Sequence, residues 1–165
     1  MSSHPPWPVP SIAERAVRDA DYDALWALHV DTMREYVAAT YGWVDAAQAE
    51  MFRERWAANL AQRVLVDGGS VVAAFLVQRR ADDVYLASVE VAPSHQGRGL
   101  GTAIVRRVLA AADTAFAPAR LQVMKANPRA RRLYERLGFA IEGETPTHCL
   151  MVSSPGRMIV TSPGA

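Results

Sequence analysis

The stretch Val89-Glu90-Val91-Ala92-Pro93-Ser94-His95-Gln96-Gly97-Arg98-Gly99-Leu100-Gly101-Thr102 sets three glycines between a strand-like run and an apolar stripe of helical period. The start of a helix leaves several backbone N–H groups unpaired and pointing the same way, and glycines let an anion approach them closely. Each charge-assisted N–H bond contributes about 1.5–3 kcal/mol and the helix dipole about 0.3–1 kcal/mol. A pyrophosphate is the guest this turn suits, and binding it needs no net-basic chain. Two familiar phosphate motifs fail: a dinucleotide fingerprint needs a glycine where Thr102 stands, and a P-loop needs Gly-Lys-Ser/Thr. Taken alone, the glycines fit equally well a tight strand-to-helix connection that holds no ligand.

Downstream of the turn, Thr102, Ile104, Val105, Val108, Leu109 and Ala112 continue the helical period up to Pro118, and Leu121 to Lys125 reads as a short strand. Asn127 is a good N-cap with Pro128 at the first helical position, and the stripe Ala130, Leu133, Leu137 stops at Gly138, a candidate left-handed cap. Two further strands are expected in Phe139 to Glu144 and His148 to Val152. Upstream, Arg63 to Asp67, Val71 to Arg79 and Val84 to Val91 read as an antiparallel meander joined by Gly68-Gly69 and Asp82-Asp83. Before it, a strand over Ala13 to Arg18 leads to a helix through Leu25, Leu28, Met33 and Val37 that stops at Gly42. A second helix is expected to open on a capping box of Asp45 and Gln48 and to run through Met51, Phe52, Trp56 and Leu60.

With 165 residues, half of them apolar, the chain suits one domain with a single core. We expect a flexible arm over residues 1–11, where four prolines precede Ser11, a domain over 12–152, and a Ser/Pro/Gly-rich tail over 153–165. A formal charge of +1 offers no strong field for nucleic acid, despite Arg106-Arg107 and the basic stretch from Arg129 to Arg132. Cys149 is the single cysteine, which excludes an internal disulfide framework and suits a reducing, cytoplasmic setting. No apolar run is long enough for a signal peptide or membrane span, and no clustered ligand spacing points to a metal.

Gln96-Gly97-Arg98-Gly99-Leu100-Gly101 after a strand, followed by Asn127-Pro128 and then Leu133-Tyr134 and Leu137-Gly138-Phe139, resembles the GNAT superfamily of N-acetyltransferases from Ile12 to Val152. The resemblance implies an α/β (α+β) fold, a mixed, largely antiparallel twisted sheet flanked by helices. It implies acetyl-coenzyme A as cofactor, its pyrophosphate held by the backbone of Gln96, Gly97, Arg98, Gly99, Leu100, Gly101 and Thr102. Asn127 would meet the pantetheine arm and Tyr134 the sulfur, with Val89 and Val91 on the splayed strand and Val91 N–H polarising the acetyl carbonyl. Arg129 and Arg132 are candidates for the cofactor's phosphates, although exposed charge on a helix face is an equally good reading. A homodimer stays open, since self-association is common in that superfamily.

Transfer to an amine by direct attack requires a neutral nucleophile, a donor to the oxyanion and a proton for the leaving thiolate. Tyr134 is the candidate acid, since a phenol near 10 lies close to a thiol near 8.5; the alternative is a partly buried core aromatic. Glu90 and His148 are candidate bases. Alternation turns Glu90 away from the face of Val89 and Val91, and the superfamily's glutamate lies earlier, where Tyr85 and Ala87 stand. An isolated histidine such as His148 or His95 is more often structural. For the acceptor, Tyr36, Trp43 and Trp56 are candidate walls of a pocket for a flat or cationic amine, or else helix-packing aromatics. The expected activity is acetyl transfer to a small-molecule primary amine. Its rivals are a non-catalytic acyl-coenzyme A-binding sensor or scaffold, and an acetyltransferase acting on protein amines.

Overall fold

A computed structural model describes residues 4–58 and 62–156. The chain forms β1 (Ile12–Ala16), α1 (Tyr22–Tyr41), α2 (Asp45–Ala58), β2 (Arg63–Asp67), β3 (Ser70–Arg79), β4 (Val84–Val91), α3 (Leu100–Thr114), β5 (Ala119–Met124), α4 (Pro128–Arg136), β6 (Ala140–Glu144) and β7 (His148–Ser153). These strands make a seven-stranded sheet in the order β1-β2-β3-β4-β5-β7-β6. The meander read over residues 63–91 is present with those strands and turns. The first strand starts at Ile12 and ends at Ala16, short of the expected Arg18.

Period-two alternation decides which layer each strand residue joins. Val64 and Ala74 pack with Leu25, Leu28 and Phe52 beneath α1 and α2, whereas Leu65, Ala73 and Phe75 pack with Leu100 and Ile104 of α3. A third cluster joins the later part of α3, through Val105, Val108 and Ala112, to Leu121, Met151 and Tyr134. Helices α1 and α2 therefore cover one face of the sheet, and α3 and α4 the other. Helix α1 stops at Gly42, whose φ of 78° and ψ of 147° are a backbone conformation that glycine adopts cheaply. The expected Asp45 capping box does not form. Asp45 lies inside the first turn of α2, and its carboxylate accepts the Trp43 indole N–H at 2.7 Å.

Trp7 and Val9, within the segment read as an arm, pack against the cluster of Leu65, Phe75 and Ile104, and the Arg107 guanidinium stands 3.4 Å over the Trp7 ring. Residues 1–3 of that arm lie outside the described residues, as do 157–165 of the expected tail. Ser153, the tail's first residue, closes β7 and is buried.

All neighbouring strands are antiparallel except β4 and β5, which pair over only three residues, Val84 to Leu86 against Ala119 to Leu121. Beyond Leu86 the two strands part. The base of this split is pinned by Asp83, whose side chain is 6% exposed and accepts from Arg80 Nε at 2.6 Å and Arg120 Nη1 at 3.3 Å. The Arg80 hydrogen bond, joined by Arg120, holds the Asp83 carboxyl below its usual range. A depressed carboxyl contributes stability above its unfolded value and loses it as pH falls through the folded value. Asp83→Asn is therefore expected to lower unfolding free energy by about 1–2 kcal/mol at pH 7, the half-exposed arginines keeping the figure small. Urea titrations should show that difference shrinking as pH falls below the unfolded carboxyl's value of about 3.9.

Candidate active site

The split exposes backbone as well as side chains. Ala92 N–H donates to Val72 O at 2.8 Å, and Glu90 and Val89 lie opposite Ala74 and Phe75. In an antiparallel pair the peptide groups turn alternately inward and outward. Ala92, Glu90 and Ser88 thus face β3, and Val89 and Val91 turn their N–H groups toward the side where β5 has departed. On the opposite lip, Gln122, Val123 and Met124 are engaged with β7 through Leu150, Cys149 and His148.

Below the split lies the glycine turn. Gly97 and Gly99 take φ values of 72° and 81°, where a β-carbon is strained. Gly99 caps α3 with no side-chain hydrogen bond, and the helix's first internal bond runs from Ala103 N–H to Gly99 O. The N–H groups of Leu100, Gly101 and Thr102 therefore precede that bond, at the positive end of the helix.

The far wall comes from α4. Asn127 Oδ1 accepts from Ala130 N–H at 3.1 Å, so the expected cap forms, and that oxygen is committed to the helix. Pro128 opens the helix and Gly138 follows it with φ of 96°. Gln96 bridges the two walls: its amide donates to Val91 O at 2.9 Å and its oxygen accepts from Arg129 Nη1 at 2.6 Å.

These parts enclose a cleft of about 330 Å³ lined by Val89, Val91, Gln96, Gly97, Gly99, Leu100, Gly101, Thr102, Asn127, Arg129, Arg132 and Tyr134. All twelve are among the thirteen cofactor-site candidates read from the sequence. Arg98, the thirteenth, is exposed and does not line the cleft. Thr32, Tyr36 and Arg136 also line it, and of these the sequence reading had singled out only Tyr36. A cavity lined by three arginines of α4, the open first turn of α3 and the apolar Val89 and Val91 suits a long ligand with an anionic centre and an uncharged arm.

Tyr134 is 5% exposed, sits edge-on to Phe139 at 6.0 Å, and burial pushes its phenol up to about 12. Its hydroxyl makes no hydrogen bond to another described residue. His95 lines the cleft but is tied through Nε2 to Asp67 Oδ2 at 2.9 Å. His148 stands outside it, with Nδ1 2.9 Å from Thr147 Oγ1. Glu90 projects to the α1 face, as alternation requires, and meets His29 there.

Tyr36, Trp43 and Trp56 are not gathered round one pocket. Tyr36 lines the cleft, Trp56 lines a second cavity of about 320 Å³ on the α1–α2 face, and Trp43 stacks on Trp26 at 6.4 Å. Sequence put Tyr36 on the first helix, Trp56 on the second and Trp43 in the link between them, without saying which side of the split each would reach. His29 was missed altogether, although it sits three residues after Trp26 on the buried stripe of α1, where an ionisable side chain needs a partner.

The profile of the acetyltransferase (GNAT) family matches residues 22–139. Uncharacterized N-acetyltransferases of Mycobacterium bovis and Mycobacterium tuberculosis are 37% identical over 78 residues, which is 47% of this chain and 50% of each relative. The chain thus spans about half the length of those curated relatives. Among solved structures, the PaiA N-acetyltransferase from Thermoplasma acidophilum in complex with coenzyme A superposes with a TM-score of 0.70 at 16% identity, over 87% of this chain and 99% of that one. An acetyltransferase from Thermus thermophilus gives 0.69 at 20% identity, over 87% and 97%. The ribosomal-protein-S18-alanine N-acetyltransferase of Escherichia coli gives 0.63 at 18% identity, over 92% and 98%. These likenesses share the fold, and no helix among the described residues is long and apolar enough to cross a membrane. Because the profile runs from the first residue of α1 to Phe139, through the split, the glycine turn and both walls of the cleft, the chain belongs to the GNAT family of acetyltransferases.

Proposed function

We propose that the chain moves the acetyl group of acetyl-coenzyme A to a primary amine by direct attack in a ternary complex, with a small molecule as acceptor and the cytoplasm as its setting. The observation that carries this reading is the meeting, in one cleft, of outward-turned N–H groups on β4 with the unpaired first turn of α3. Bound there, the coenzyme supplies a thioester, an acetyl group on a competent leaving sulfur.

The chain's own part is positioning and charge. The N–H groups of Gly97 to Thr102 hold the pyrophosphate, and Arg129, Arg132 and Arg136 neutralise the remaining phosphate charge. Asn127 keeps its amide N–H₂ for the pantetheine arm, since its oxygen caps α4. Val91 N–H, with Val89 beside it, donates to the carbonyl oxygen as negative charge develops there. Tyr134 donates to the sulfur. With its phenol at about 12 it stays protonated throughout the working range, and it acts as a fixed hydrogen-bond donor to the departing thiolate. His148, outside the cleft, takes no part.

An unpartnered phenol at the cleft wall favours catalysis over a binding module, because a merely packed tyrosine finds a partner for its hydroxyl. The test is thiol release from acetyl-coenzyme A in the presence of alkylamines, arylalkylamines and short peptides, with the products weighed by mass spectrometry. Amine-dependent release with an acetylated small amine is the expected result. Micromolar binding without turnover of any amine would make the chain a sensor or scaffold. Acetylated peptides with inert small amines would move the acceptor to protein.

A further inference from the structure

On the α1 face of the split, His29 Nδ1 lies 2.8 Å from Glu90 Oε1. Both are withdrawn from solvent, the histidine side chain 6% and the glutamate 14% exposed. Glu90 sits between Val89 and Val91, the residues whose N–H groups face the split, so its carboxylate leaves β4 beside the reacting centre on the face opposite α3. One turn after His29, Thr32 lines the cleft, and Tyr36 follows one turn later. At about 1.5 Å rise per residue, His29 precedes Thr32 by roughly 4.5 Å along the axis of α1.

The surroundings are aromatic. Trp26, Trp43 and Phe52 place their ring centroids 6.0, 6.3 and 5.7 Å from the imidazole. Glu90 also lines the second cavity, with Leu25, Phe52 and Trp56 among its apolar walls. With Nδ1–H donated to Glu90, the other ring nitrogen is the acceptor. No side-chain nitrogen or oxygen among the described residues is both fully buried and unpartnered. His29 Nε2 has no hydrogen bond to a described residue, so it is not fully sealed from solvent, although His29 lines neither the cleft nor the second cavity. The other charged groups around it are Arg34, standing over Trp43 at 5.6 Å, Asp45 on the Trp43 indole, and Arg55 over Phe52 at 5.9 Å.

We infer that His29 is the catalytic base and Glu90 its positioning residue, and that the acceptor they serve is a primary alkyl- or arylalkylammonium received against the aromatic walls. This rests on the acetyltransferase reading. His29 Nε2 takes one proton from the ammonium and passes it to water. The freed lone pair forms the new carbon–nitrogen bond at the thioester carbon, and the carbon–sulfur bond leaves its pair on sulfur. A second amine proton neutralises that thiolate, and the third stays on the amide. An imidazole whose other nitrogen is held by a carboxylate presents its free nitrogen as a proton acceptor, and the rings favour a cation before it is discharged.

The alternative is a structural ion pair that only fastens α1 to β4, and substrate basicity separates the two. We would compare wild type with His29→Gln and Glu90→Gln at pH 7 on 2-phenylethylamine, which is protonated there, and on phenylhydrazine, which is neutral. The acetyl-coenzyme A affinity of each protein would be read by calorimetry. Expected is a fall in kcat/KM of about 10²-fold or more for phenylethylamine in His29→Gln, with phenylhydrazine changed less than about threefold and cofactor affinity unchanged. Glu90→Gln should show the same selectivity in milder form, and it decides the matter if His29→Gln does not fold. Equal losses on both amines, or no loss on either, overturn the inference and leave the pair structural. Wild-type protein that does not bind acetyl-coenzyme A fails the transferase reading itself, and this inference falls with it.

Discussion

Gly99→Val is expected to weaken acetyl-coenzyme A binding at least about 100-fold while the chain stays folded. Gly99 holds φ of 81° and ψ of 4° as the N-cap of α3. A β-branched residue in that conformation costs about 1–3 kcal/mol, and the turn relieves the cost by rotating its peptide groups away from their common direction. Valine's β-carbon would also come 3.5 Å from Pro8 Cγ, with two methyl groups beyond it. Losing the aim of two charge-assisted N–H donors at about 1.5–3 kcal/mol each accounts for a hundredfold and more. The buried stripe of α3, from Leu100 to Ala112, is untouched, so circular dichroism and cooperative unfolding should persist. Titration calorimetry decides the outcome: unchanged affinity in the folded variant would mean that the anion is held elsewhere.

Tyr134→Phe tests the other end of the cleft. The ring keeps its contact with Phe139 and its place in the core, and the hydroxyl it loses has no described protein partner, so stability should hold to within about 0.5 kcal/mol. If that hydroxyl stabilises the departing sulfur, kcat falls by about 10²-fold while KM for acetyl-coenzyme A moves little, the pattern of an interaction made only in the transition state. The wild-type phenol, pushed up to about 12, imposes no descending limb of its own on kcat below about pH 10. A limb that falls at lower pH and vanishes in the phenylalanine variant would contradict the buried, permanently protonated role. An unchanged kcat would leave Tyr134 a packing residue.

Both features were legible before any coordinates because each rests on local chemistry. Glycines at 97, 99 and 101 announce a strand-to-helix turn that an anion can approach, Gly97 and Gly99 taking φ above zero there, and Asn127-Pro128 with Gly138 announces both ends of α4. The meander was equally readable, since tight turns and period-two patterns are set by near neighbours. What the sequence hid are long-range pairings. The contact of His29 with Glu90 spans 61 residues, and although the buried stripe of α1 calls for a partner to His29, nothing in either neighbourhood names which one. Alternation correctly turned Glu90 away from Val89 and Val91, but not onto a histidine. The aromatics of α1 and α2 were visible as a group, and their distribution over two cavities was not, because it depends on where the helices cross the sheet. Asp45 shows the limit of local rules as well: a sound capping pattern gave way to the indole of Trp43 two residues earlier.

The short parallel seam gives the sheet a mechanical character. Four strands, β1 to β4, and three, β5, β7 and β6, are stitched through only Val84 to Leu86 and Ala119 to Leu121. Helix α3 crosses that seam, its first turns packed with Ile12, Leu65 and Phe75 on one side and its later turns with Leu121 and Met151 on the other. The two leaves therefore share one spine, and the spine's exposed end is the glycine turn. A ligand that grips this end restrains both leaves at once, so its footprint in amide exchange should extend over β2 and β7, far from any atom it touches.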